Sequence, residues 1–284
     1  MKTVLLLGLL GGLFVALGWL FGGQTGALLA LGFAALFNFA MYFYSEKLAL
    51  AAAKAKPVEE IDLPNVYTIV RSLAQREQMP MPRIYVIESP QPNAFATGRN
   101  PKHAAVAVTR GILEMMDYQE LEAVLAHELS HVKNRDILIA TIAATIGAAM
   151  SFLARMAFWG GMGRRRDSNG VQAIVSIAAM ILAPLVAFVV QMAISRSREF
   201  QADRSGAAMT GSPMALASAL SKLDQGTSRV PMKVDASTAQ LFIADPLKAL
   251  DGRGAGNWMM RLFASHPPMS VRIERLQNQA MGIR

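Results

Sequence analysis

Apolar residues fall into two kinds of run along this chain: long uncharged blocks, and shorter stretches in which apolar positions recur among polar ones. No charged residue occurs between Thr3 and Ser45, and none between Val171 and Ile194. A hydrocarbon core of about 30 Å takes roughly 20 helical residues to cross, so each block is long enough to span one. The first block holds two apolar runs, starting at Val4 and at Gly26, with Gly22 to Thr25 between them. That pattern predicts a hairpin of two spanning helices over residues 1–45, rather than a cleaved signal peptide. Glycines 8, 11, 12, 18 and 32 suit close packing of its helices. A second hairpin is predicted over 137–194, from the runs Ile137 to Trp159 and Val171 to Ile194. Its connecting loop contains Arg164, Arg165 and Arg166, which prefer the cytoplasm, whereas a simple crossing places that loop outside. The length of the uncharged block favours two crossings, with a shallow hairpin as the alternative.

The remaining stretches, 46–136 and 195–284, have a soluble pattern. Val66, Ile69, Val70 and Leu73 follow helical spacing and predict a helix over Asn65 to Gln78, ended by Pro80 and Pro82. RIYVIE from Arg83 and AAVAVT from Ala104, with PNAFATG at 92–98 between them, predict a small sheet. Leu121, Val124, Leu125 and Val132 predict an amphipathic helix over Tyr118 to Asn134. Gly, Ser, Thr and Pro near 226–238 predict a long surface loop within an otherwise helical C-terminal stretch.

Composition sharpens the class. Of 284 residues 53% are hydrophobic and only 17% charged, which is unusual for a soluble chain and marks a membrane protein. The net charge of +8 would otherwise suggest nucleic acid, but the basic residues lie beside the hydrophobic runs: Lys47, Lys54, Lys56, Arg155, Arg164 to Arg166, Arg196 and Arg198. Anionic lipid headgroups are the nearer partner, and no nucleic-acid partner is expected. Lys2 before the first hairpin and Lys47, Lys54 and Lys56 after it put both of its ends in the cytoplasm, and with them the following segment. The absence of cysteine excludes disulfides and thiolate metal ligands.

Candidate chemistry lies in the helix over Tyr118 to Asn134, which contains His127-Glu128-Leu-Ser-His131. Histidines four apart share one helical face and can bind one metal ion, while Glu128 can reach a water held there. A catalytic zinc typically takes three protein ligands, so a third is needed. SRSREFQADRSGA, residues 195–207, offers Glu199 and, one turn on, Asp203 on the same face. Glu199 as ligand with Asp203 holding a ligating histidine is one reading; a solvated acidic pair among arginines is the other. Position favours the first. His131 lies six residues, about 9 Å of helix, before the second hairpin, and Glu199 lies five after it. A hairpin returns its ends to one membrane face, which would place such a site near the cytoplasmic surface.

HELSH, SREFQAD, four hydrophobic segments and the later SHPPMSVRIERL together resemble the HtpX family of membrane-bound zinc metalloproteases, heat-shock-associated relatives of the CAAX prenyl proteases. The resemblance covers nearly the whole chain. It implies a mainly α membrane protein in which four transmembrane helices carry a cytoplasmic zincin-like α+β metalloprotease domain with a small β-sheet. It also implies one Zn2+ held by His127, His131 and Glu199, with Glu128 as general base and Asp203 as partner of a ligating histidine. His266 and Arg272 would stand beside the scissile carbonyl, as oxyanion donors in chemical terms. By the same resemblance the substrate-binding edge of the sheet would comprise Asn93, Ala94, Phe95, Ala96, Thr97 and Gly98. His103 matches no motif and is expected at the surface.

The implied activity is endoproteolysis of misfolded or damaged membrane proteins at the plasma membrane (the inner membrane of a Gram-negative cell), with the active site on the cytoplasmic side. A processing protease for one peptide or a prenylated tail is a rival. A silent zinc-binding scaffold is disfavoured by the intact Glu128, and a transporter because Asn38, Gln172 and Gln191 are polar but uncharged and Arg155 lies near a segment end.

Overall fold

The computed structural model describes residues 2–134, 136, 196–234, 236–250 and 267–282. The hairpin predicted over 137–194 and the candidate His266 lie outside the described residues. Helix α1 runs Lys2–Ala52, and Gly23 breaks it within the predicted turn, with φ 55° and ψ −143°. Glycine tolerates that positive φ because it has no Cβ. Gly23–Phe37 and Tyr42–Ala52 are bent by 64° and together reach the length and apolarity of a span; among the described residues no single helix does. Gly12 and Gly32 have nothing within 4 Å of where a Cβ would stand, so the close packing expected of them is absent among the described residues.

The C-terminal end of α1 leaves the apolar stretch and docks on a sheet. Ala49, Leu50 and Ala53 are buried against Ile87, Phe95, Ala105, Ala107 and Phe242, and Glu46 pairs with Arg83 at the start of a strand. The sheet contains β1 (Lys56–Pro57), β2 (Arg83–Ile87), β3 (Ala94–Gly98) and β4 (Ala104–Thr109) in the order β1-β2-β4-β3. β2 and β4 are parallel, and β3 pairs antiparallel with β4, Phe95 opposite Ala107. Side chains alternate between its faces. Ile84, Val86, Ala94, Ala96, Val106 and Val108 enter the main core, while Ile87, Phe95, Ala105 and Ala107 face α1. Both faces are therefore covered, and β3 forms an edge of the sheet.

The main core is closed by α2 (Pro64–Arg76), the short α3 (Arg110–Met115), α4 (Tyr118–Lys133), α5 (Arg196–Thr210), α6 (Pro213–Arg229) and α7 (Met269–Ala280). α4 starts at a capping box in which Asp117 accepts from Glu120 N–H and Glu120 accepts from Asp117 N–H. Glu120 is itself buried and receives Ser218 Oγ at 2.7 Å and Lys222 Nζ at 2.6 Å, which fastens the start of α4 to α6. The expected surface loop near 226–238 is present in part: 230–234 have no regular structure and Pro231 and Lys233 are exposed, but the stretch starts inside a helix. Its first residues are the last turn of α6, where Thr227 hydroxyl donates to Leu223 carbonyl at 2.8 Å. Gly226 is buried against Pro92, in a place where a Cβ would overlap the ring. Met232 is buried beyond it, and Leu241 to Ala244 continue into the core. Gly226, Thr227, Met232 and Thr238 are thus packed inward between exposed neighbours.

Candidate metal centre

The site forms where α4 meets α5. The two helices approach closely because Gly206 faces α4: a Cβ there would stand 2.8 Å from His127 N and 2.9 Å from its Cα. Glu199, Asp203 and Gly206 follow one another along a single face of α5 at helical spacing, so the same contact turns both carboxylates towards the histidines.

His127, His131 and Glu199 each offer one ligand atom, and these atoms lie within 4.8 Å of one another. His127 Nε2 and His131 Nε2 are 3.3 Å apart. Glu199 Oε1 is 3.5 Å from His131 Nε2, and its Oε2 is 3.8 Å from His127 Nε2. Two imidazoles and one carboxylate, with no thiolate, make the donor set of a catalytic zinc centre with a coordination position left for water. The field of the pocket also suits a cation. Burial opposes charge on His131, yet Asp136, Glu199 and Glu128 hold its proton up to about 9.

His127 is fully buried, and its Nδ1 lies 3.0 Å from Asp203 Oδ1, though not in line with it. This leaves Nε2 for the metal. Asp203 is in turn gripped by Arg272, whose Nε donates to Oδ2 at 2.8 Å and whose second terminal nitrogen donates to Oδ1 at 2.7 Å. Arg272 is wholly buried and also donates to Ile243 carbonyl at 3.1 Å. Burial alone would raise the Asp203 carboxyl, but Arg272 and His127 outweigh it and hold it at about 2. A buried guanidinium needs this double partner, since an unpaired charge there costs several kcal/mol.

Glu128 points from the same turn of α4 towards the sheet edge, where Ala96 N–H donates to its Oε2 at 2.8 Å. Burial pushes its carboxyl up to about 8, against the nearby positive charge of His131. The pairing of β3 explains the bond. Thr109 N–H donates to Asn93 carbonyl, so the alternating pattern of an antiparallel ladder commits Phe95 and Thr97 to β4 and turns the backbone groups of Ala94, Ala96 and Gly98 outward. Ala94 carbonyl accepts from Ile243 N–H at 3.0 Å. Ala96 carbonyl and Gly98 thus continue the edge beyond that point.

Of the residues expected from the sequence, His127, Glu128, His131, Glu199, Asp203 and Arg272 come together. Ala96 adjoins them through Glu128. Asn93 is buried and clasps Ala244 from both sides, its amide nitrogen donating to the carbonyl at 2.8 Å and its oxygen accepting from the N–H at 3.2 Å. His103 is exposed and closes a turn with Asn100. Three contributors escaped the sequence reading: Gly206, the Ala96 N–H, and Asp136, whose Oδ2 lies 3.9 Å from His131 Nδ1. A glycine seven residues after a candidate ligand was the one visible signal.

The chain matches the model of peptidase family M48 over residues 61–280. It is 47% identical over 281 residues to a protease HtpX homolog of Desulforapulum autotrophicum, covering 98% of this chain and 89% of the relative. A protease HtpX homolog of Thermodesulfovibrio yellowstonii is 48% identical over 283 residues, covering 99% of this chain and 98% of the relative. Among solved structures, S. mikatae Ste24p shares the fold with a TM-score of 0.52 at 21% identity; the match covers 97% of this chain and 64% of that one.

Proposed function

Because the chain belongs to peptidase family M48, and is a zinc metalloprotease of the HtpX type, we propose that it is a multi-pass membrane endopeptidase that cuts misfolded or damaged membrane proteins at the cytoplasmic surface. The observation that carries this reading is the contact between Glu128 and the outer side of the edge strand β3, beside three convergent ligand atoms. It puts a proton acceptor, a metal position and a strand edge in one place.

When bound, zinc lowers the pKa of a coordinated water towards about 7 and polarises the scissile carbonyl. Glu128 takes the proton of the attacking water on a carboxylate oxygen and delivers it to the leaving nitrogen. Its Oε2 is held for that task by Ala96 N–H. Asp203 keeps His127 in the tautomer that presents Nε2, and Arg272 keeps Asp203 ionised and fixed. Arg272 has its second terminal nitrogen 3.4 Å from His127 Nε2, and its place beside the scissile carbonyl is assigned by its motif. His266 is assigned the neighbouring oxyanion role by its motif alone.

An extended substrate would pair with Ala96 carbonyl and Gly98, since Asn93 and Ala94 are occupied by Ala244 and Ile243 and Ala96 N–H is taken by Glu128. Backbone pairing accepts many sequences, which suits unfolded chains. Membrane placement is supported by the uncharged blocks and by Leu28, Leu29, Leu31, Phe33, Leu36 and Phe39 on α1, each more than half exposed. The partners are protein substrates and lipid.

Two experiments test this. Detergent-purified protein is offered several unrelated unfolded proteins and, separately, short and prenylated peptides. Cleavage of all the unfolded proteins is expected; cleavage confined to one peptide would instead indicate a processing protease. A single cysteine placed by Lys102→Cys in this cysteine-free chain is then probed in intact cells. Labelling by an impermeant reagent from outside would overturn the cytoplasmic site.

A further inference from the structure

Asp136 follows α4 by three residues, after the capping residue Asn134. Its N–H donates to His131 carbonyl at 3.0 Å, which folds the chain back over the second histidine. The carboxylate then spans two groups. Oδ2 lies 3.9 Å from His131 Nδ1, and Oδ1 lies 3.7 Å from Arg198 on α5. Both side chains are largely enclosed, Asp136 at 22% and Arg198 at 10% exposure.

An anion at the C-terminal end of a helix is opposed by the macrodipole. A carboxylate lodged there needs a compensating cation, and Arg198 supplies it. The layout repeats the arrangement at the first histidine, where Asp203 stands behind His127 Nδ1 and Arg272 stands behind Asp203. His131 turns Nε2 towards Glu199 and His127, so its Nδ1 is the nitrogen left to be oriented from outside. Arg198 also immediately precedes Glu199, so its contact with Asp136 ties the residue that follows α4 to the start of α5.

We propose that Asp136 is a positioning residue for the zinc site: it accepts a hydrogen bond from His131 Nδ1–H, aims Nε2 at the metal, and is itself held by Arg198. This rests on His131 being a zinc ligand. Outer partners of ligating histidines commonly govern metal affinity by about 10–100-fold.

The test uses the full chain in detergent, loaded with zinc, and follows zinc release to a colour-forming chelator beside the melting temperature of the metal-free protein. Asp136→Ala is expected to lower zinc affinity about 10–100-fold, while it and Asp136→Asn, which both remove the charge facing Arg198, shift the metal-free melting temperature alike. Asp136→Asn, whose amide oxygen can still accept from Nδ1–H, is expected to lose much less zinc affinity. His131→Ala is the reference. If it retains zinc, the ligand assignment fails; if it loses zinc while Asp136→Ala holds it like wild type, only the role of Asp136 is overturned. Equal zinc loss in the Ala and Asn variants, tracking a lowered metal-free melting temperature, also overturns it in favour of a general folding role.

Discussion

Gly206→Ala isolates the contact that lets α5 reach α4. An added methyl group would stand 2.8 Å from His127 N, 2.9 Å from His127 Cα and 3.2 Å from Ala126 carbonyl carbon. All three are backbone atoms of a buried helix, so none can rotate away. Restoring ordinary contact requires the helices to part by about 0.6 Å at this point. Two effects compete. Alanine is the better helix former by about 1 kcal/mol, whereas overpacking a tight core costs about 1–3 kcal/mol. The immobility of the clashing atoms decides for the second, and a net loss of about 1–2 kcal/mol is expected. The metal site should suffer more, because ligand distances tolerate only about 0.2 Å and the displaced helix carries Glu199. Zinc release to a chelator and denaturant unfolding of the metal-free protein measure the two consequences. An unchanged release rate together with a gain of up to about 1 kcal/mol, the pure propensity effect, would refute the close approach of α5 to His127.

Asp203 predicts an acid transition in the metal-free protein. The folded state holds this carboxyl at about 2 against an ordinary 3.8, so the unfolded chain binds the proton first as pH falls. Its contribution is complete above about pH 4 and is lost towards pH 2, and is worth about 2 kcal/mol. The stability gap between wild type and Asp203→Asn should therefore narrow by about that amount from pH 6 to pH 2; a constant gap would contradict it. Asn93→Ala removes both bonds to Ala244 and should cost about 1–3 kcal/mol in unfolding experiments. Replacing Glu120 by Ala deletes its side-chain half of the α4 capping box, the bond from Asp117 N–H, and its bonds to Ser218 and Lys222. A loss of about 1–2 kcal/mol is expected, read by thermal unfolding.

The periodic elements were legible because their own residues state their geometry. α2, β2, β4 and α4 appear within two residues of the expected bounds, since apolar spacing and flanking prolines mark them locally. The loop near 226–238 is shorter than its composition suggests, because composition does not reveal that Gly226 is small in order to meet Pro92. β1 has two residues and no pattern of its own. In the site, the two histidines and Glu128 stand on one helical turn and could be read directly. Glu199 and Asp203 were ambiguous between ligands and a solvated pair until the motif resemblance was added. What spacing cannot express is contact between distant segments: the grip of Arg272 on Asp203, the Ala96 N–H on Glu128, and Arg198 across from Asp136.

The central claim is that His127, His131 and Glu199 hold zinc while Glu128 moves the proton. Zinc content and cleavage of an unfolded protein, measured on the same preparations of wild type and Glu128→Gln, test it most directly. Glutamine keeps the size of the side chain and can still accept from Ala96 N–H. Both proteins should carry zinc, and the variant should cleave at least about 100-fold more slowly. Equal zinc with equal cleavage would contradict the account.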